Sequence, residues 1–466
     1  MHLRFCKSLI AALVLSAIQP FASANVLEGR NGFWLGDMKI PNGPTLKMGV
    51  EIFKRADGSQ WASVSSPDQG AYDIPVATIK ENGDVADLDI GIANVKLKWE
   101  KDHFAGQFKQ GNDAFSFDMQ QVPSFPKKVR PQTPVAPFPY RDEVLAFPST
   151  DGVVLGATLS IPDGTVKPNL VILVHGSGPA TRDHGMAGHE SFAALADYLA
   201  RKGIAVLRYD KRGISRSTGN FEQHTGSQLI DDLQTIAKAI KGRPGFNRVG
   251  LLGLSEGSGI AAAVAARDPA NADFIVSLGG MGVSGLELMY QQDRIAMIDN
   301  GATASQADQI MRYIRKYYAL VLAHDDPAPR IAAIKAMQRA LPKKDKVQIE
   351  KFKANQGTLS LHMAAKPFLK ALLLSNPPKD WRQVAIPALV LGGGKDHQVP
   401  SKENVAGIVA ALQAGKKPRV ESAILPTLNH LFQTAATGKE EEYSAIEETL
   451  APVALVRVAT FIKELR

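Results

Sequence analysis

The chain has 466 residues, 45% of them apolar and 21% charged, and carries a formal charge of +8. That length exceeds what one hydrophobic core sustains, so one large domain with a smaller partner is expected, and the ordinary globular composition excludes a disordered chain or a membrane-embedded bundle. The basic residues are scattered in short clusters such as Lys127-Lys128 and Lys343-Lys344. A nucleic-acid partner would need them gathered on one element among stacking aromatics, so none is expected.

Residues 1–24 read as a secretory leader: Arg4 and Lys7, then an apolar run from Leu9 to Ile18, then Ala22-Ser23-Ala24 before Asn25. The run is too short to span a bilayer, and no later segment is long and apolar enough, so the mature chain is expected to have no integral membrane span and to be exported, periplasmic or secreted. The only cysteine, Cys6, lies inside this leader. The remainder can therefore hold no disulfide, thiolate metal site or cysteine nucleophile.

From 25 to 122 the pattern is short and alternating, in runs 47–53, 60–65, 76–80, 85–90, 95–100, 103–109 and 114–119, with turn pairs such as Asp57-Gly58 and Asn82-Gly83 between runs. This predicts a small antiparallel β-domain of six to eight strands, a barrel or sandwich. Six prolines then fall between Val122 and Tyr140. Such a stretch favours extended backbone, and 123–139 is read as a semi-rigid linker.

Beyond it, from 140 to 466, strands alternate with helices. Apolar runs at 153–161, 170–174, 205–209, 249–254, 274–278, 388–391 and 420–425 are separated by helical patterns at 190–201, 228–241, 257–266 and 402–414, with 451–465 closing the chain. That alternation predicts an α/β fold with a mostly parallel sheet covered on both faces, its ligands beyond the carboxyl ends of the strands. The interval from about 282 to 380 interrupts the rhythm with helical patterns at 305–323 and 330–340, and is read as a helical cap inserted over that edge.

Gly253-Leu254-Ser255-Glu256-Gly257 lies directly between an apolar strand and an alanine-rich helix. G-x-S-x-G in that setting is the sharp turn that projects a nucleophilic serine. A serine hydroxyl needs a neighbouring base, and the partners should follow as acid, then histidine, each on a loop after a later strand. Asp396, in Gly394-Lys395-Asp396-His397, and His430, in Leu428-Asn429-His430, stand in that order. The rivals are weaker: Asp380 precedes its strand, Asp210 is better suited to a salt bridge organising loops, His397 adjoins the acid, and His184 and His189 come too early. Those last two do not align on one helical face, and no cofactor or metal is expected. The run His175-Gly176-Ser177-Gly178 follows the strand that should carry an oxyanion loop, so the backbone amides of Ser177 and Glu256 are the expected donors. The direction of the Glu256 carboxylate is left open.

Together, His-Gly-Ser-Gly-Pro, Arg-Tyr-Asp-Lys-Arg-Gly, Gly-Leu-Ser-Glu-Gly, Gly-Lys-Asp-His-Gln-Val-Pro and Leu-Asn-His-Leu-Phe-Gln resemble the α/β-hydrolase superfamily over about 140–466. Within it the chain is similar to the bacterial carboxylesterase group related to prolyl-oligopeptidase-like and serine-aminopeptidase-like hydrolases. The resemblance implies an α/β-hydrolase sheet with an inserted helical cap, Ser255, Asp396 and His430 in the triad roles, and small-molecule esters of short to medium acyl chains as substrates. Two other readings stay open: an aminopeptidase-like serine peptidase, and a cell-wall or polysaccharide binder with a hydrolase attached, whose Trp34, Trp61 and Trp99 would stack on sugars. Oligomeric state is not legible.

Overall fold

The computed structural model describes residues 25–352 and 359–465. The expected leader, 1–24, lies outside them. The amino-terminal part is a single sheet of nine antiparallel strands: β1 (Gly32–Lys39), β2 (Thr45–Lys54), β3 (Gln60–Ser66), β4 (Ala71–Pro75), β5 (Thr78–Asn82), β6 (Val85–Asp89), β7 (Asn94–Glu100), β8 (His103–Gln110) and β9 (Asp113–Val122). Their order is β4-β3-β2-β1-β9-β8-β7-β6-β5, so the sheet curls but leaves two edges. This corrects the expected count of six to eight. The additional strands are β1, whose Gly32 and Gly36 dilute the alternating pattern, and β4, only five residues long. Gly36 is required where it stands, because a Cβ there would lie 2.2 Å from the Asp118 carbonyl oxygen of the neighbouring strand.

The core of this sheet is aromatic. Trp34, 3% exposed, meets Phe104 and Trp99 edge to face at centroid distances of 4.8 and 5.6 Å, while the Arg55 guanidinium covers Trp61 at 3.6 Å. Their faces are thereby occupied by protein, which disfavours their use as sugar platforms.

The proline-rich segment is extended but not free. Arg130 is buried and donates to the carbonyl oxygens of Ser444 and Ile446, each at 2.7 Å, and of Gly188 at 3.2 Å. Gln132 accepts from the amides of Thr449 and Leu450. The segment is thus fastened to the second domain, because buried guanidinium and amide groups must find partners.

The second domain contains an eight-stranded sheet: β10 (Tyr140–Pro148), β11 (Val154–Pro162), β12 (Leu170–Val174), β15 (Ala205–Tyr209), β16 (Val249–Leu254), β17 (Phe274–Leu278), β18 (Ala388–Gly393) and β19 (Val420–Leu425); β13 (Gly185–Met186) and β14 (His189–Glu190) form a small separate ladder. The order is β10-β11-β15-β12-β16-β17-β18-β19, with β10 and β11 antiparallel to their neighbours and the rest parallel. Successive residues of a strand face opposite ways. Leu170, Ile172 and Val174 accordingly pack with helices 226–241, 256–267 and 401–414, while Val171 and Leu173 pack with helices 191–201 and 452–464. The chain order reverses at β12, which opens a crevice beyond the carboxyl ends of β12 and β16.

Helices from Gly285–Asp299 to Pro367–Leu374 form the inserted cap around a core of their own that includes Ile310, Ile314, Tyr317 and Val321. The next short helix, Pro377–Trp381, sends Trp381 fully buried into the core under the sheet, so the last turn of the interval read as cap belongs to the sheet's packing. His397 Nδ1 lies 2.7 Å from Asp299 Oδ2, and Lys366 pairs with Glu222 at 2.5 Å. These contacts tie the cap to loops at the carboxyl edge of the sheet.

The seam between the two domains forms an open cleft of about 820 Å³ whose lining includes Glu51, Asp73, Lys127 and Arg216. Arg216 bridges the seam: it donates to Glu51 Oε1 at 2.7 Å, stacks on Phe53 and accepts from the Ala56 amide. Asp73 stands there at φ +54, and burial pushes its carboxyl from 3.8 up to about 6, Lys127 pulling the other way and Glu51 adding to the rise. The folded chain therefore keeps a proton that the unfolded chain releases between those two values, and stability falls as pH rises through that window. Asp73→Asn removes the penalty and suits a left-handed backbone. It should raise unfolding stability by about 3 kcal/mol near pH 8 and leave it nearly unchanged near pH 3.8, as read by urea unfolding; equal stability of the two proteins near pH 8 would refute the assignment.

Candidate active site

Ser255 sits between β16 and helix Glu256–Arg267 with φ +55 and ψ −123, a conformation that L-residues adopt only where surrounding structure compels it. The compelling features are the two flanking glycines. A Cβ on Gly253 would lie 2.3 Å from the Gly257 carbonyl oxygen, and one on Gly257 would lie 2.3 Å from that of Val174. Strand and helix therefore close to backbone contact, and the turn between them lifts the serine out. Its amide donates to Leu278 O of β17 at 2.9 Å.

Asp396 lies on the loop after β18 and His430 on the loop after β19. His430 Nδ1 donates to Asp396 Oδ2 at 2.8 Å, and Asp396 Oδ1 accepts from the amides of Gln398 and Val399 at 2.9 and 2.7 Å. Both side chains are buried. The carboxylate is thus fixed by the loop's own backbone and leaves one oxygen for the imidazole. Burial lowers the affinity of His430 for a proton, but the charge and hydrogen bond of Asp396 outweigh it, so the net shift is upward from 6.5.

Gly279 brings this pair up to the serine. It follows β17 at φ +56, one residue after the carbonyl that holds the Ser255 amide, and its Cβ position is 3.3 Å from Asp396 Oδ2 and 3.4 Å from His430 Nδ1. A side chain there would crowd the pair. The sequence signal was Gly279-Gly280 directly after an apolar strand. Among the described residues Ser255 Oγ has no hydrogen bond to His430, a contact that commonly tightens only when substrate is bound.

Ser177 follows β12 and faces solvent, with Gly176 against the nucleophile turn: a Cβ on Gly176 would be 3.2 Å from the Ser255 Cβ. Glu256 opens its helix, so its amide has no intrahelical acceptor, and the helix dipole favours an anion there. The structure thus sets Glu256 directly after Ser255 at the helix start and the loop that carries Ser177 against the nucleophile turn. The Glu256 carboxylate points inward: its Oε2 is 3.9 Å from Lys211 Nζ, and burial raises its proton affinity while Lys211 opposes the rise.

The rivals have other partners. Asp210 binds Arg182 through both oxygens, at 3.2 and 2.6 Å, and accepts from the Arg182 and Arg216 amides, which is the loop-organising role expected of it. His397 turns to Asp299 in the cap. His184, held down to about 4 by burial, meets Ser191, while His189 meets Thr449 and Gln433. Gln433 in turn pairs with Asn429, so His189 helps to fix the loop that carries His430, a role that sequence reasoning missed.

A family model described as serine aminopeptidase, S33, matches residues 181–433, which include Ser255, Asp396 and His430. Esterase EstD of Thermotoga maritima is 25% identical over 278 residues, covering 60% of this chain and 58% of that protein. The chain therefore matches less than two thirds of this relative's length. An acyl transferase of Photobacterium leiognathi is 32% identical over 117 residues, 25% of this chain and 35% of that one. Among solved structures, a Pyrococcus furiosus esterase covers 72% of this chain and 96% of its own at 16% identity and a TM-score of 0.42. A proline iminopeptidase of Mycobacterium smegmatis covers 69% and 98% at 17% identity and a TM-score of 0.42. The family model spans more than half of the sequence and contains the serine turn, the acid loop and the histidine loop, and so the chain belongs to the serine aminopeptidase S33 family of α/β-hydrolases.

Proposed function

We propose that the protein hydrolyses carboxylic esters of short to medium acyl chains through an acyl-serine intermediate. The observation that carries this reading is the buried Asp396–His430 pair at 2.8 Å, packed against the strand end that holds the strained Ser255 turn. In the first step Ser255 Oγ bonds to the ester carbonyl carbon as its proton passes to His430 Nε2. The carbonyl electron pair moves onto oxygen, facing the amides of Ser177 and Glu256. The alkoxy group then leaves with the proton from His430, and water repeats the sequence to free the acid and Ser255. Asp396 keeps its charge throughout and stabilises the imidazolium.

The similarity to esterase EstD supports an ester as the substrate, whereas the description of the family model favours a second reading, cleavage of an amino-terminal residue from a peptide. The same groups attack either carbonyl, and the cap decides what reaches them. Assay of the purified protein on p-nitrophenyl esters from acetate to laurate, beside aminoacyl naphthylamides, separates the two. The ester reading predicts faster turnover of the shorter esters than of any amide; amide turnover that exceeds ester turnover would replace it with the peptidase reading.

We also propose that the protein is exported, on the leader pattern of 1–24 and the lack of cysteine beyond it. Amino-terminal sequencing of the protein from the periplasmic or culture fraction should begin at Asn25, and a product retained in the cytoplasm with Met1 would refute export.

A further inference from the structure

Lys211 is a charged side chain that the reaction above leaves unused, and it is 3% exposed. It stands in Arg208-Tyr209-Asp210-Lys211-Arg212-Gly213, directly after β15, and reaches across to the oxyanion loop. Its ammonium donates to Gly176 O at 2.5 Å and to Gly178 O at 3.0 Å. A third acceptor lies further off: Glu256 Oε2, at 3.9 Å, is buried and has no hydrogen-bond partner of its own. An ammonium brought this deep is costly unless its protons are taken up, so such an arrangement persists only with a specific set of acceptors.

Two of those acceptors belong to the residues that face the nucleophile. In a planar trans peptide the carbonyl and the amide proton point in opposite directions. Holding Gly176 O to the interior therefore turns the amide of the same peptide, that of Ser177, outward beside Ser255. The other contact draws the Glu256 carboxylate inward, which leaves the helix-opening amide of Glu256 clear of its own negative charge. Among the described residues no protein acceptor meets the Ser177 amide.

We propose that Lys211 is a positioning residue for the oxyanion hole: one buried ammonium orients the Ser177 amide through the Gly176 carbonyl and keeps the Glu256 carboxylate away from the developing anion. The inference rests on the serine-hydrolase reading. It accounts for an acid directly after the nucleophile, which would otherwise oppose an anionic intermediate. Burial lowers the proton affinity of Lys211 and raises that of Glu256, and in each case the charge of the other group opposes the shift.

The test uses Lys211→Met, which keeps length and loses the donors, and Lys211→Gln, which keeps one polar head, each checked for folding by circular dichroism. An oxyanion donor is felt in the transition state and not in the ground state, so kcat for a p-nitrophenyl ester should fall about 100-fold while KM changes less than about threefold. Affinity for phenylboronic acid, whose tetrahedral adduct on Ser255 places an oxygen in the hole, should fall by a similar factor. A folded variant that keeps kcat and boronate affinity within about threefold of the unsubstituted protein overturns the proposal, as does a loss confined to KM. If neither variant folds, nitrogen-15 NMR of the unsubstituted protein decides. The Ser177 amide proton should move downfield in the boronate adduct while the Lys211 ammonium protons stay protected from exchange; an unmoved Ser177 amide or rapidly exchanging ammonium protons would overturn it. Ester turnover by a folded Ser255→Ala protein would instead remove the underlying reading, so the two failures are distinguishable.

Discussion

Ser255→Ala should lower kcat for p-nitrophenyl ester hydrolysis by about 10⁶-fold and abolish covalent labelling by a fluorophosphonate, with the fold retained. The size follows from the chemistry: once the hydroxyl is gone no acyl intermediate forms, and only substrate binding and the oxyanion donors still accelerate attack by water. The fold should tolerate the change because the Ser255 contacts on which the turn depends are made by its backbone, to Leu278 and Ser258. Alanine inherits the positive φ, and that strain is imposed by Gly253 and Gly257, whose backbones touch their neighbours. Circular dichroism and the mass of the labelled protein check both halves. Persistence of labelling on a folded variant would mean that another residue is the nucleophile.

Asp396→Asn should lower kcat by about 10³–10⁴-fold and shift the acid limb of the pH profile downward. In the unsubstituted protein His430 works as a base only when neutral. Its buried position favours the neutral form, but the adjacent carboxylate favours the imidazolium more strongly, so the acid limb of kcat/KM should lie above 6.5. Activity is then lost as pH falls through the raised value. Asparagine removes the charge while burial remains, so the limb should move below 6.5; it also offers an amide where Nδ1–H needs an acceptor, which favours the unproductive tautomer. Measuring kcat/KM from about pH 5 to 9 tests this. An unchanged limb would mean that Asp396 does not set the protonation of His430.

Lys211 and Asp396 hold the two halves of the site in different ways. Asp396 is fixed by the amides of its own loop, so its placement is local to the segment after β18. Lys211 acts across the crevice from the end of β15 to the loop after β12, strands that are neighbours in the sheet but separated in sequence by helix Ser191–Arg201. A local device is visible as a motif, whereas a bridge of this kind appears only when the strand order is known.

The same distinction separates what could be read early from what could not. The apolar runs after the linker each became a strand, those from β12 to β18 because fully buried parallel strands demand continuous apolar sequence. Of the amino-terminal strands, β1 and β4 escaped notice: one carries two glycines, of which Gly36 is required by its neighbour's close approach, and the other is too short to alternate visibly. Residues 377–380 lay in the interval read as cap because nothing in their helical pattern hinted that the helix they open sends the Trp381 ring into the core beneath the sheet.

Sequence by itself determined the serine turn, the order of acid and histidine and the α/β alternation. Each of these is set by local backbone chemistry or by periodic burial, and both act over a few neighbouring residues. Tertiary structure alone decided that Gly279 makes room for the Asp396–His430 pair, that Arg130 fastens the proline-rich segment and Arg216 the amino-terminal sheet to the hydrolase domain, and that Lys211 draws the Glu256 carboxylate inward. Those contacts join segments far apart in the chain, and their distances follow from sheet order and packing, which no local pattern encodes.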